Sequence, residues 1–127
     1  MSHDRADYIR GLRALADVLE QHDDLRLPHD GTRSNITIHY LNATDPIAGL
    51  IAAMQAIPCG FTSKISVFED DEDDDATRAY LDLDGQLHGV KIRLTAFRKD
   101  TCTQDEDGVW HIPDAITSRA PEAEATA

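Results

Sequence analysis

Seven consecutive carboxylates, Glu69, Asp70, Asp71, Glu72, Asp73, Asp74 and Asp75, form the densest group of chemically capable side chains in this 127-residue chain. Dense carboxylates attract hard cations such as calcium. An EF-hand loop, however, needs glycine at its sixth position, where Asp71-Glu72-Asp73-Asp74-Asp75-Ala76 carries alanine. The run therefore predicts weak cation association and no dedicated metal site. Like charges at this density repel one another and cannot be buried, so residues 69–76 are expected to form a solvated loop.

The other candidate groups are dispersed. Cys59, His88, Cys102 and His111 are zinc-type donors, but none shows the close Cys-x-x-Cys or His-x-x-x-His spacing of a structural site, and surface histidines with structural thiols are the simpler reading. The two cysteines are compatible with one disulfide or with two independent thiols. The charged opening MSHDRADYIR lacks the apolar stretch of an export signal and favours free thiols in a reducing cytoplasm. The six histidines (3, 22, 29, 39, 88, 111) fall mostly in expected loops or at element ends, and no G-x-S-x-G, glycine-rich phosphate loop or H-E-x-x-H occurs. No catalytic residue and no cofactor are assigned. A small metal-dependent or acid-base enzyme of unknown substrate is the alternative to a binding protein.

Charge narrows the partners. The net charge is −12, and residues 69–84, with nine acids and one base, hold two-thirds of it. Nucleic-acid affinity comes from neutralising phosphates with Lys and Arg, so direct binding is disfavoured; the island Lys91, Arg93, Arg98 and Lys99 is too small to reverse this. No apolar run approaches the roughly 18–20 residues that span a bilayer. A carboxylate string on a folded scaffold can instead imitate a phosphate backbone and engage a basic protein. A plain solubilising role for the run stands beside that reading.

The elements that must position these groups follow from periodicity. Residues 4–23 place Tyr8, Leu12, Leu15 and Leu19 at spacings of three and four, as an amphipathic helix capped by Ser2 or Asp4 does. Gly11 within it is read either as close packing on a neighbour or as simple tolerance. Residues 35–41 alternate as a half-buried strand. Asp45-Pro46 then opens a second helix bearing Ile47, Leu50, Ile51, Met54 and Ile57, which Pro58 and Gly60 end. Three more alternating strands cover 62–68, 78–84 and 90–98, with Asp84-Gly85 as the turn between the last two. The expected fold is α+β, in the order α-β-α-β-β-β. It is a two-layer sandwich with two helices packed on one face of a four- to five-stranded, mainly antiparallel sheet. Residues 1–112 would be a single domain, with 100–112 as a fifth edge strand, and 113–127 a disordered tail. Phe68, Tyr80 and Phe97 alternate out of the core, either as apolar anchors for a partner or as packing beneath the loop or tail.

Two stretches, Tyr8-Ile9-Arg10-Gly11-Leu12-Arg13-Ala14-Leu15-Ala16-Asp17-Val18-Leu19-Glu20 and Leu25-Arg26-Leu27-Pro28, resemble the opening of small uncharacterised proteins of actinobacteria, their phages and mobile elements. The segment from Gly89 to Thr103 is similar to that group's last strand and its cysteine. The acidic run and the tail after Cys102 lie outside the pattern. The resemblance implies a phage or mobile-element setting in an actinobacterial cytoplasm and carries no catalytic residues. Together these readings predict a non-enzymatic acidic interaction protein. Its partner would be a basic host DNA-binding protein, met through Glu69 to Asp75 with Phe68, Tyr80 and Phe97.

Overall fold

In the computed structural model of the protein, residues 4–25, 36–68 and 79–122 are described. The first helix, α1 (Arg5–Gln21), starts where Asp4 accepts a hydrogen bond from the Ala6 amide, satisfying one of the free donors of the first turn. The strand β1 (Ile36–His39) follows. Asp45 caps the next helix, α2 (Pro46–Ala56), through the Ala48 amide at 3.1 Å, and Pro46 occupies a first-turn position where its missing N–H costs nothing.

Strands β2 (Phe61–Val67), β3 (Ala79–Leu87) and β4 (Val90–Phe97) complete a four-stranded sheet in the order β1-β4-β3-β2. The sheet is mixed. β2–β3 and β3–β4 are antiparallel, whereas β1 lies parallel to β4 with Ile36 opposite Ile92. Connectivity explains this: α2 carries the chain back so that β1 and β2 run the same way, and two reversals after β2 give β4 that direction too.

The turn between β3 and β4 is not Asp84-Gly85. Gly85 pairs within the ladder, where a Cβ would stand 2.8 Å from the Gly60 carbonyl oxygen, so its glycine serves a close backbone approach. The reversal falls at His88-Gly89, with His88 at φ 54° and its carbonyl accepting from Gln86 Nε2 at 2.7 Å.

Ile92, Leu94 and Ala96 of β4 and Leu81 and Leu83 of β3 share one sheet face with Phe61, and α2 lays Leu50 and Met54 onto it. Leu50, Leu81, Leu83 and Leu94 are fully buried, and each contributes roughly 1.5–3 kcal/mol through removal from water. Tyr40 supports α2 from the side, its ring filling the space a Cβ on Gly49 would need.

Residues 100–112 do not add a fifth strand. β4 already has β1 on one side and β3 on the other, so the chain after it has no open edge beside it. It turns instead through α3 (Arg98–Thr101), where Thr101 Oγ1 donates to the Phe97 carbonyl at 2.9 Å. The short strands β5 (Thr103–Gln104) and β6 (Trp110–His111) then pair with each other as a separate two-stranded sheet.

The expectation of an unstructured tail beyond Pro113 fails for residues 113–122. Ile112, Ile116 and Ala120, four apart, enter the core, the middle one from the short helix α4 (Asp114–Thr117). Ser63 binds this segment twice, its Oγ donating to the Ala120 carbonyl at 2.7 Å and its amide to Pro121 at 2.9 Å. The segment thus meets the open edge of β2 at Ser63 and satisfies that residue's amide and hydroxyl. Residues 123–127 lie outside the described residues.

Two helices were expected to share one sheet face, but α1 buries no residue. A Cβ on Gly11 would meet nothing within 4 Å, so close packing is not the reason for that glycine.

Candidate functional site

Alternation along β3 and β4 sends Tyr80, Asp82 and Asp84 away from the core, beside Arg93, Thr95 and Phe97. Tyr80 lies opposite Phe97 in the register and stacks on it, with ring centroids 5.6 Å apart and planes at 24°. Phe68, just past the end of β2, meets Tyr80 edge-on at the same separation. The three aromatic residues singled out in the sequence are therefore one continuous row. Phe68 remains 59% exposed.

Next to the row the same face sinks into an open cleft of about 250 Å³. Phe68, Tyr80 and Leu41 give it apolar walls, Thr37 and His39 of β1 line it, and Asp82, Arg93 and Thr95 bring polar groups to it. The cleft is open and has room for at least a single side chain.

Asp82 is the unusual member, a carboxylate only 3% exposed. Ser66 Oγ donates to its Oδ2 and Thr95 Oγ1 to its Oδ1, both at 2.7 Å. Arg93 Nη1 stands 3.7 Å from Oδ2. The guanidinium is committed to Asp84, through Nε at 2.7 Å and Nη2 at 3.3 Å. That hydrogen bond raises the Arg93 pKa against the opposing effect of burial, and the charges of Asp84 and Asp82 add to it. Lys64 approaches Asp84 from β2 at 3.7 Å. Arg93 therefore binds Asp84 first and reaches Asp82 only at long range, leaving a buried carboxylate with lone-pair capacity beyond its two hydroxyl donors.

Such a cleft offers aromatic surface to an alkyl or guanidinium group and a carboxylate to a cation. Among the described residues, no hydrogen bond joins His39 to a carboxylate, and no three His, Cys, Asp or Glu side chains gather as metal ligands. Cys59 and Cys102 are free thiols. His111 pairs instead with Asp105 at 2.7 Å in the small sheet, and Arg98 lies over the Trp110 ring at 4.2 Å.

Glu69, Asp70, Asp71, Glu72, Asp73, Asp74 and Asp75 lie outside the described residues. Their attachment points do not. Val67 pairs with Ala79 at the end of the sheet that carries Phe68 and Tyr80, and residues 69–78 link these two strands in sequence. Alternation in the sequence placed the three rings on the polar face; it carried no sign that Asp82 would be buried, because that burial comes from Ser66 and Thr95 on neighbouring strands.

No protein-family model, no curated protein and no solved structure matches this chain.

Proposed function

We propose that this is a non-enzymatic interaction protein that binds a basic protein through its acidic loop and the adjoining outer face of the sheet. The carboxylates of residues 69–75 supply long-range attraction, and the aromatic row with its cleft supplies the short-range fit. An arginine or lysine of the partner lays its stem against Phe68 and Tyr80 and turns its charged end towards Asp82. Among the described residues, α2 and α4 pack on the opposite, core face of the sheet.

The observation that supports the reading is the Val67–Ala79 pairing, because the two residues flank the acidic segment in sequence and stand at the end of the sheet that carries the aromatic row. A net charge of −12 favours basic partners, and charge complementarity accelerates encounter and selects among them. A DNA-binding protein of the host is the partner class we propose, because its surface is already built for closely spaced negative charge. The phage or mobile-element setting and the host cytoplasm belong to the same proposal.

The test is capture from an actinobacterial lysate, comparing the intact protein with a variant whose residues 69–75 are replaced by Ser and Gly. One dominant basic partner, released by added DNA and lost in the variant, is the expected result. Retention by the variant, or only the general background of basic proteins, would refute the reading.

A further inference from the structure

Phe68 and Tyr80 both line the cleft, and their planes stand at 71° with centroids 5.6 Å apart, so they give it two aromatic walls set steeply to each other. Phe97 stacks on Tyr80 and steadies that ring. The row already draws one ammonium group: Lys99 Nζ stands 5.6 Å from the Phe97 centroid. The negative face of an aromatic ring attracts a cation, and does so more strongly the less water surrounds the charge.

The polar lining decides which cation fits this corner. A lysine ammonium is strongly hydrated and carries three donors, an arginine guanidinium carries five, and each donor taken out of water needs an acceptor. The carboxylate is poorly placed to serve them. Asp82 is 3% exposed, with Thr95 donating to its Oδ1 and Ser66 to its Oδ2, so its charge reaches the cleft more readily than its oxygens do. Arg93 also lines the cleft, but it is held by Asp84 and brings donors rather than acceptors. Lys64 lies 3.7 Å from Asp84, so two cations here balance the two carboxylates. A trimethylated ammonium keeps its positive charge, has no N–H to satisfy, and offers methyl groups to the two rings and to Leu41.

We propose that the cleft reads a methylated lysine, its trimethylammonium seated between Phe68 and Tyr80 with Asp82 as the nearby negative charge. This rests on the function proposed above and sharpens it: the basic partner is held at a lysine that carries methyl groups. Because the cleft is open, its occupant enters as a side chain of a larger molecule, whereas sites for free ligands bury most of the ligand surface.

The test is an NMR titration of the full protein with one short peptide carrying, at a single position, lysine, trimethyl-lysine or the uncharged carbon analogue of trimethyl-lysine. The trimethyl-lysine peptide should shift His39, Tyr80 and Thr95 and bind about tenfold more tightly than the lysine peptide, as a desolvated cation over aromatic rings does. The uncharged analogue, which keeps the shape, should lose that gain. Phe68→Tyr should keep the preference for the methylated form, and Phe68→Leu should remove most of it, with circular dichroism confirming that both variants are folded. Equal affinity for lysine and trimethyl-lysine, or for the charged and uncharged forms, would overturn the inference and leave the proposed function standing. Tetramethylammonium binding as tightly as the peptide would overturn the assignment to a side chain. A clear preference for trimethyl-lysine in a protein that captures no basic partner would overturn the proposed function alone, and a cleft that answers to none of the peptides would overturn both.

Discussion

Thr95 Oγ1 donates a 2.7 Å hydrogen bond to Asp82 across the β3–β4 pair, and the two residues are direct neighbours in the register. With Ser66 at the same distance on the other side, this bond holds a nearly buried carboxylate in place beside the cleft. Asp82 is therefore a structural residue of the sheet, and the proposed function asks it in addition to face a partner's cation.

Thr95→Val should accordingly destabilise the fold by about 1.5–3 kcal/mol, the usual worth of a hydrogen bond to a charged group. Ser66→Ala should do the same to a similar or smaller extent. Urea unfolding monitored by circular dichroism measures both. Wild-type stability in both variants would show that the carboxylate does not depend on these hydroxyls.

Ile116 sits in a segment that carries no strand or long-helix pattern, yet it is fully buried against the sheet core. Ile116→Ala should cost about 2–5 kcal/mol, as deletions of buried aliphatic side chains do. Differential scanning calorimetry would register this as a fall of many degrees in Tm. A shift of a degree or less would mean that residues 113–122 are not part of the cooperative unit.

Asp105 organises the β5–β6 turn by accepting from the Asp107 and Val109 amides while binding His111. The His111 hydrogen bond, and then that of Val109, hold its carboxyl below the ordinary value of 3.8. A group with a lowered folded-state pKa contributes order above its unfolded value and loses it as pH falls through the folded one. The Asp105 side-chain carboxyl carbon resonance should therefore titrate with its midpoint below that ordinary value. A midpoint at or above it would contradict the assignment, and Asp105→Ala should displace the Val109 and Asp107 amide resonances at any pH.

The two thiols should differ in reactivity. Cys102 is buried, and desolvation raises its pKa despite the opposing effect of its hydrogen bond with Thr101. Cys59 is only partly covered. A thiolate-selective reagent at neutral pH should modify Cys59 first in the native protein and both residues after unfolding, without prior reduction. Equal native rates, or no reaction in the unfolded chain, would contradict this.

Much of this architecture is legible in the residues. Asp45-Pro46 announces α2 because cap and proline satisfy local geometry alone, and the alternation through Leu81, Leu83, Ile92 and Leu94 marks the buried sheet face. Alternation assigns faces but not neighbours, so the parallel pairing of Ile36 with Ile92 could not be read from it. Gly85 mimics a turn residue, since the close approach of Gly60 that requires it is a tertiary contact. Ile112, Ile116 and Ala120 do carry a signal, a spacing of four, but one too short to stand out from a tail. The amphipathy of α1 is plain, whereas what that face meets is not encoded in periodicity. Of the site, the rings at 68, 80 and 97 were legible; the burial of Asp82 and the cleft beside it arise from three strands together.

The most direct test of the proposed binding face is an amide NMR titration of the full protein with a short arginine-containing peptide and with the same peptide bearing citrulline. Citrulline keeps the shape of arginine and removes its charge. The arginine peptide should shift Thr37, His39, Tyr80 and Thr95 together, and citrulline or Asp82→Asn should weaken those shifts about tenfold or more, with circular dichroism confirming that the variant is folded. Phe68→Leu, which leaves Asp82 and its donors untouched, should weaken them to a lesser degree. Shifts scattered away from the cleft, or equal responses to arginine and citrulline, would contradict the account.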